Sequence, residues 1–125
     1  MTWRAKILIV DDDELALDII TTKLTERYDI ISTQDPTRAL KLAREHEPDL
    51  ILCDFDMPEM DGSEVSEALR ADEELKYIPL LFLTGLATSG DLNRMHKQMA
   101  GRRAVSKDAP LAQLIARIEE LLKPE

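Results

Sequence analysis

The segment DLILCDFDMPEMDG, residues 49–62, changes character at one point. Leu50 to Cys53 form an unbroken apolar run, and residues 53–62 then hold Asp54, Asp56, Glu59 and Asp61. An apolar run that is continuous rather than alternating marks a strand covered on both faces, as in a parallel sheet. Such a strand carries Asp54 to its carboxyl end. A single Asp there could be turn chemistry, so its meaning depends on what else arrives at the same edge.

Four other short apolar runs share this form: AKILIV (5–10), DIIST (29–33), PLLFLT (79–84) and RAVS (103–106). Helical patterns separate them. Over 14–27, Leu15, Ala16, Ile19, Ile20 and Leu24 recur at three- and four-residue spacing. Over 36–47, Ala39, Leu40 and Ala43 repeat this; Asp35 is expected to cap that helix, Pro36 to open it and Pro48 to stop it. Further helices are predicted at 63–72, 89–99 (Leu92, Met95, Met99) and 109–123 (Leu111, Leu114, Ile115, Ile118, Leu122). Strand and helix thus alternate five times. The fold class expected is α/β, a doubly wound five-stranded parallel sheet with five helices. Ligands in such folds sit beyond the carboxyl ends of the strands.

Those ends are chemically unequal. The first strand runs into Asp11, Asp12 and Asp13, the third into Asp54, the fourth into Thr84 and the fifth into Lys107. The second ends in Thr33 and Gln34. If the second strand lies outermost, the carboxylates, the hydroxyl and the ammonium meet in one crevice. Two carboxylates ~4 Å apart repel by ~4 kcal/mol at an effective dielectric near 20. Such a cluster holds protons or a cation. Carboxylates, a main-chain carbonyl and waters suit Mg²⁺, and Lys107 and Thr84 opposite it would receive a phosphoryl group.

Each of these residues has a plainer reading when taken alone. Asp13 reads as helix N-terminal chemistry, Thr84 as a strand end and Lys107 as a solvated cation. Asp61 and Gly62 read as a turn, and Cys53 as core packing. His46 and His96 fall on predicted helix surfaces without metal-site spacing to a second ligand. The joint placement of Asp11, Asp12, Asp54, Thr84 and Lys107 is what favours a site. Composition narrows the class. With 125 residues the chain is expected to be one domain, 1–125, either standalone or cut from a larger protein. A net charge of −9 speaks against nucleic acid as the main partner. No apolar run approaches the ~18 residues that span a bilayer, and the single cysteine rules out an internal disulfide. The reading is a cytoplasmic protein with no membrane partner.

On these motifs the chain resembles the receiver domains of the two-component response regulators. ILIVDDD is similar to the family's first strand with its acidic pair. PDLILCDFDMPEMDG is similar to its phosphoacceptor strand and loop, IPLLFLTG to its fourth strand, and SKDAP to the region of its lysine. The resemblance implies a flavodoxin-like sheet of order 2-1-3-4-5, the order known for a chemotaxis member of the family. It implies that Asp54 takes a phosphoryl group from the phosphohistidine of a histidine kinase or phosphotransfer protein. Asp12 and Asp54 would bind Mg²⁺ directly, Asp11 through water, and Asp56 through its main-chain carbonyl. Thr84 would hydrogen-bond the phosphoryl group and Lys107 would pair with it. The protein would be a signalling switch with an unknown output partner, and not an enzyme beyond its own phosphorylation and dephosphorylation.

Two departures from the family pattern stand out. Lys-Pro, often joined by a cis peptide, is replaced by Lys107-Asp108; a cis bond without proline costs ~2.5–4 kcal/mol, which points to a trans loop and a differently placed lysine. The aromatic residue usual three positions before the lysine is Ala104. An output surface is expected where the loop 85–90 meets the basic residues Arg94, Lys97, Arg102 and Arg103, although a charge run of this kind is usually solvated. Two rival readings remain at this stage. One is a haloacid-dehalogenase-like phosphatase using Asp54 and Asp56 as its Asp-x-Asp pair. The other is a pseudo-receiver that binds a partner without phosphorylation.

Overall fold

The computed structural model describes residues 4–55, 57–58, 60–85 and 103–123, with Arg103 described by its backbone alone. Its five strands are β1 (Lys6–Val10), β2 (Asp29–Thr33), β3 (Leu50–Asp54), β4 (Leu80–Thr84) and β5 (Arg103–Ser106). All pair in parallel, in the order β2-β1-β3-β4-β5. Each apolar run of the sequence is one of these strands, and the second strand is outermost as the crevice requires.

The described helices are α1 (Glu14–Leu24), α2 (Ala39–His46), α3 (Gly62–Arg70) and α4 (Leu111–Leu122), with one turn of 3-10 helix, Pro36–Arg38, ahead of α2. The helix expected at 89–99 lies outside the described residues, with Met95, His96, Met99 and the basic residues Arg94, Lys97 and Arg102. Capping sets the starts. Asp13 accepts from the N–H groups of Leu15 (3.1 Å) and Ala16 (3.4 Å), and Asp35 accepts from Thr37 N–H (3.0 Å). Asp61 accepts from Glu64 N–H (3.1 Å), so Asp61 and Gly62 are a helix start rather than the turn expected for them. α2 ends one residue early, because Glu47 turns into the left-handed region (φ 48°) ahead of Pro48.

The sheet divides the core in two. Leu8, Val10, Ile51, Cys53 and Phe82 pack with Ala39, Leu42 and Ala43 of α2 and with Val65 and Leu69 of α3. Ile7, Ile9, Leu52, Leu81, Leu83 and Val105 pack with Leu17 and Leu24 of α1 and with Leu114 and Ile118 of α4. Full burial of each Val, Leu, Ile or Phe side chain among these contributes about 1.5–3 kcal/mol. The inward stripe of α1 differs from the expected one. Leu17 is buried, whereas Leu15 and Ile19 are exposed. The sequence LALDII is apolar nearly all round, so three- and four-residue spacing fits two faces of this helix, and the packing selects the face bearing Leu17 and Leu24.

Candidate functional site

The carboxyl edge of the sheet is held by bonds that continue the ladders past the strands. Asp11 N–H donates to the Thr33 carbonyl (3.1 Å), Phe55 N–H to Leu83 (3.0 Å) and Lys107 N–H to Thr84 (2.8 Å). These fix the first residues beyond β1, β3 and β5 against neighbouring strands. Asp11, Asp54 and Thr84 are buried there (1 %, 3 % and 0 % exposed), and Asp12 is partly buried.

Lys107 closes this cluster. Its ammonium lies 2.9 Å from Asp11 Oδ2 and 3.2 Å from Asp54 Oδ2. The other oxygen of Asp11 accepts the N–H of Asp13 at 3.0 Å. Burial opposes the charge on Lys107, but the hydrogen bond to Asp11 and the charges of Asp54 and Asp11 together outweigh it and hold the ammonium above its usual range. The Lys107–Asp108 peptide is trans. The lysine nevertheless reaches both carboxylates. Asp108 N–H donates to Ser106 Oγ (3.1 Å) and Ala109 N–H to the Ser106 carbonyl (3.0 Å), a turn that needs no proline.

Asp11, Asp12 and Asp54 each offer a carboxylate oxygen, and these atoms lie within 4.8 Å of one another. At that range each pair repels by at least about 3 kcal/mol at an effective dielectric near ~20. Among the described residues, the Lys107 ammonium pairs with two of the three, Asp11 and Asp54. The donors are carboxylate oxygens only, with neither thiolate nor imidazole among them, which is the ligand type of a hard divalent cation. Among the described residues this is the group of side chains suited to a metal ion. An open cleft of about 430 Å³, lined by Asp12, Gln34, Asp35, Pro36, Met57 and Pro58, brings solvent to its rim.

The structure therefore brings Asp11, Asp12, Asp54, Thr84 and Lys107 to one edge, while Asp56 lies outside the described residues. Cys53, beside Asp54, is fully buried; burial and then the charges of Asp54 and Asp11 push its thiol well above the ordinary range, so it stays neutral and packs. His46 lies at the last turn of α2, at the opposite edge of the sheet, where its carbonyl accepts from the Lys6 ammonium (3.0 Å). Ala104 is partly buried and sits in register with Phe82, whose ring is fully buried. Gly62, read from the sequence as part of a turn, opens α3 with its N–H bonded to the Phe55 carbonyl at the strand end (2.9 Å).

Comparison with known proteins agrees with this geometry. A family model described as "Response regulator receiver domain" matches residues 7–119. The chain is 38% identical over 117 residues to the polar-differentiation response regulator DivK of Brucella ovis, covering 93% of this chain and 94% of that one. Its fold is similar to the Vibrio cholerae chemotaxis protein CheY4 (TM-score 0.83, 26% identity, 96% and 100% of the two chains). It is likewise similar to the BeF3-activated N-terminal receiver domain of Klebsiella pneumoniae RstA (TM-score 0.82, 27% identity, 95% and 99%). These relatives are response regulators, and none supports the phosphatase reading. With the sheet order, the buried acidic cluster and a match across nearly all of its length, the chain belongs to the receiver domains of the two-component response regulators.

Proposed function

We propose that Asp54 is the phosphoacceptor of this receiver domain, and that the donor is a phosphohistidine of a histidine kinase or phosphotransfer protein. The observation that carries the reading is the pairing of one ammonium, Lys107, with two buried carboxylates, Asp11 and Asp54, at the end of a central strand. An Asp54 oxygen attacks phosphorus as the donor's P–N bond breaks, and the imidazole leaves with the bonding pair and takes up a proton. The product is an acyl phosphate, which water later cleaves to inorganic phosphate and the free carboxylate. No further residue is required as nucleophile, so the chain catalyses its own modification by positioning and charge compensation.

Lys107 holds the charge that arrives, since a phosphoryl group adds about −1.5 to −2. The Thr84 hydroxyl, buried one residue past the Asp54 pairing row on β4, donates to a phosphoryl oxygen. Asp11, Asp12, Asp54 and the main-chain carbonyl of Asp56 would hold Mg²⁺. When bound, that ion neutralises phosphoryl oxygens and relieves the carboxylate repulsion. A cytoplasmic setting fits such donors. Among the described residues no helix is long and apolar enough to cross a membrane.

Intact mass after incubation with acetyl phosphate and Mg²⁺ tests the reading. The wild-type chain should gain one hydroxylamine-sensitive phosphate and Asp54→Asn none. Uptake by the Asn variant, or a stable phosphate on Ser, Thr or His, would end it.

A further inference from the structure

The helix after the phosphoacceptor strand starts on a residue without a side chain, and conformational freedom is not the reason, because the φ of Gly62 lies outside the left-handed region. Space is the reason. A Cβ built at Gly62 would stand 2.7 Å from Cε1 of Phe82, 2.9 Å from the Phe55 Cα and 3.0 Å from the carbonyl oxygen of Asp54. The first contact is a side chain, but it has little room to yield. Phe82 is fully buried, and its ring meets that of Phe55 edge-on, with centroids 5.2 Å apart at 85°. The other two contacts are the backbone that carries Asp54 itself.

The helix start cannot slide away either. Gly62 N–H donates to the Phe55 carbonyl at 2.9 Å. Asp61 holds the first turn by accepting from Glu64 N–H (3.1 Å) and from the Ser63 hydroxyl (2.5 Å). On the far side, Phe55 N–H is tied to Leu83 at 3.0 Å. An added methyl group must therefore displace either the start of α3 or the Asp54–Phe55 peptide. Asp54 reaches Lys107 at 3.2 Å, and in-line transfer tolerates little error, since ~1 Å of misplacement costs ~10²-fold in rate.

We propose that Gly62 is a positioning residue for phosphoryl transfer: its missing side chain lets α3 seat against the carbonyl of Asp54 and sets where the Asp54 carboxylate stands. This rests on Asp54 being the phosphoacceptor. The test compares wild type, Gly62→Ala, Phe82→Leu, the double variant and Val65→Ala. Each is followed for phosphoryl uptake from acetyl phosphate with Mg²⁺ and for thermal unfolding. Gly62→Ala should lose ~10–100-fold in rate at saturating acetyl phosphate, with the half-saturating concentration unchanged. Val65→Ala loosens the same helix without adding an atom near Asp54, and should melt earlier yet keep the wild-type rate. The double variant relieves the ring contact but not the backbone contacts, so it should fold and remain slower than Phe82→Leu by a similar factor. It carries the test if Gly62→Ala alone does not fold. The proposal is overturned by a double variant as fast as Phe82→Leu, by one that also fails to fold, or by Val65→Ala slowing as much as Gly62→Ala. A wild-type chain that takes up no phosphoryl group would instead remove the reading of Asp54.

Discussion

The two edges of the sheet use charge in opposite ways. At the amino edge, cations meet carbonyls at helix ends. Arg4 donates to the carbonyls of Thr25 and Tyr28 past α1 and pairs with Asp29 (3.5 Å), and the Lys6 ammonium donates to the carbonyl of His46 at the end of α2. Asp49 in turn accepts the Lys6 N–H at 2.8 Å. These contacts favour positive charge at helix carboxyl ends, and they complete one another. At the carboxyl edge, among the described residues, three carboxylates gather around the Lys107 ammonium, and the polar groups are more deeply buried. The first edge closes the fold. The second gathers carboxylates of the kind that ligate a hard divalent cation.

The comparison breaks most readily at Lys107. Lys107→Ala removes the cation shared by the buried Asp11 and Asp54, and should lower metal-free stability by ~2–3 kcal/mol, below the ~3–5 kcal/mol of a fully buried pair because Lys107 is partly exposed. Urea unfolding with and without Mg²⁺ should show the ion restoring much of that loss, while phosphoryl transfer stays slow. A loss that Mg²⁺ leaves untouched would mean that Lys107 serves the fold and not the site. The matching change at the amino edge is Asp49→Ala, which removes the acceptor of Lys6 N–H and should cost about 1–2 kcal/mol. Here Mg²⁺ should recover nothing, and the rate of phosphorylation should be unchanged.

A finer cut separates neighbours on one loop. Asp13→Ala should cost about 1 kcal/mol through loss of the α1 cap, with Mg²⁺ affinity kept. Asp12→Ala should lose about two orders of magnitude in Mg²⁺ affinity, given that outer partners of a metal site alone are worth ~10–100-fold. Calorimetric titration of both variants decides, and equal losses would refute the assignment.

The effect confined to the narrowest range of conditions concerns pH at the amino edge. Burial, and then the charge of Glu119, push the Tyr28 phenol up to about 12. Its proton is held more tightly in the folded chain than in the unfolded one, where the group titrates near ~10. The resulting stability is complete below ~10 and is lost as pH rises through about 12. Tyr28→Phe should flatten the alkaline limb of stability in that window, and leave the profile below it unaltered.

Much of this is legible in the amino-acid sequence alone. Short apolar runs place all five strands to within a residue; β3 and β4 are buried along their whole length, whereas the edge strand β2 is only half-buried and is marked by its Ile30–Ile31 pair. The joint arrival of Asp11, Asp54, Thr84 and Lys107 follows from the ends of those runs once the second strand is outermost. Other features were not legible. The inward face of α1 was ambiguous because Leu15, Leu17, Ile19 and Ile20 offer two apolar stripes, and only packing chooses between them. The reach of Lys107 with a trans peptide depends on the hydroxyl and carbonyl of Ser106, a local turn that no spacing rule encodes. The tightness at Gly62 depends on Phe82, which is remote in sequence and meets it only through the register of β3 with β4.

Strand order also sets an order in time. β1 pairs with β2 and β3, both of which follow it in the chain, and β4 and β5 are added on the far side of β3. During synthesis, Asp11, Asp12 and Asp54 therefore leave the ribosome well before Lys107. Parallel pairings close long loops and form slowly, and a domain generally folds as a unit, so the acidic edge is complete only once the last strand is available. Until then Lys107 is not in place to pair with Asp11 and Asp54. The acidic edge must stay hydrated until β5 docks, and the cation that completes the resting site is the last part of it to be made.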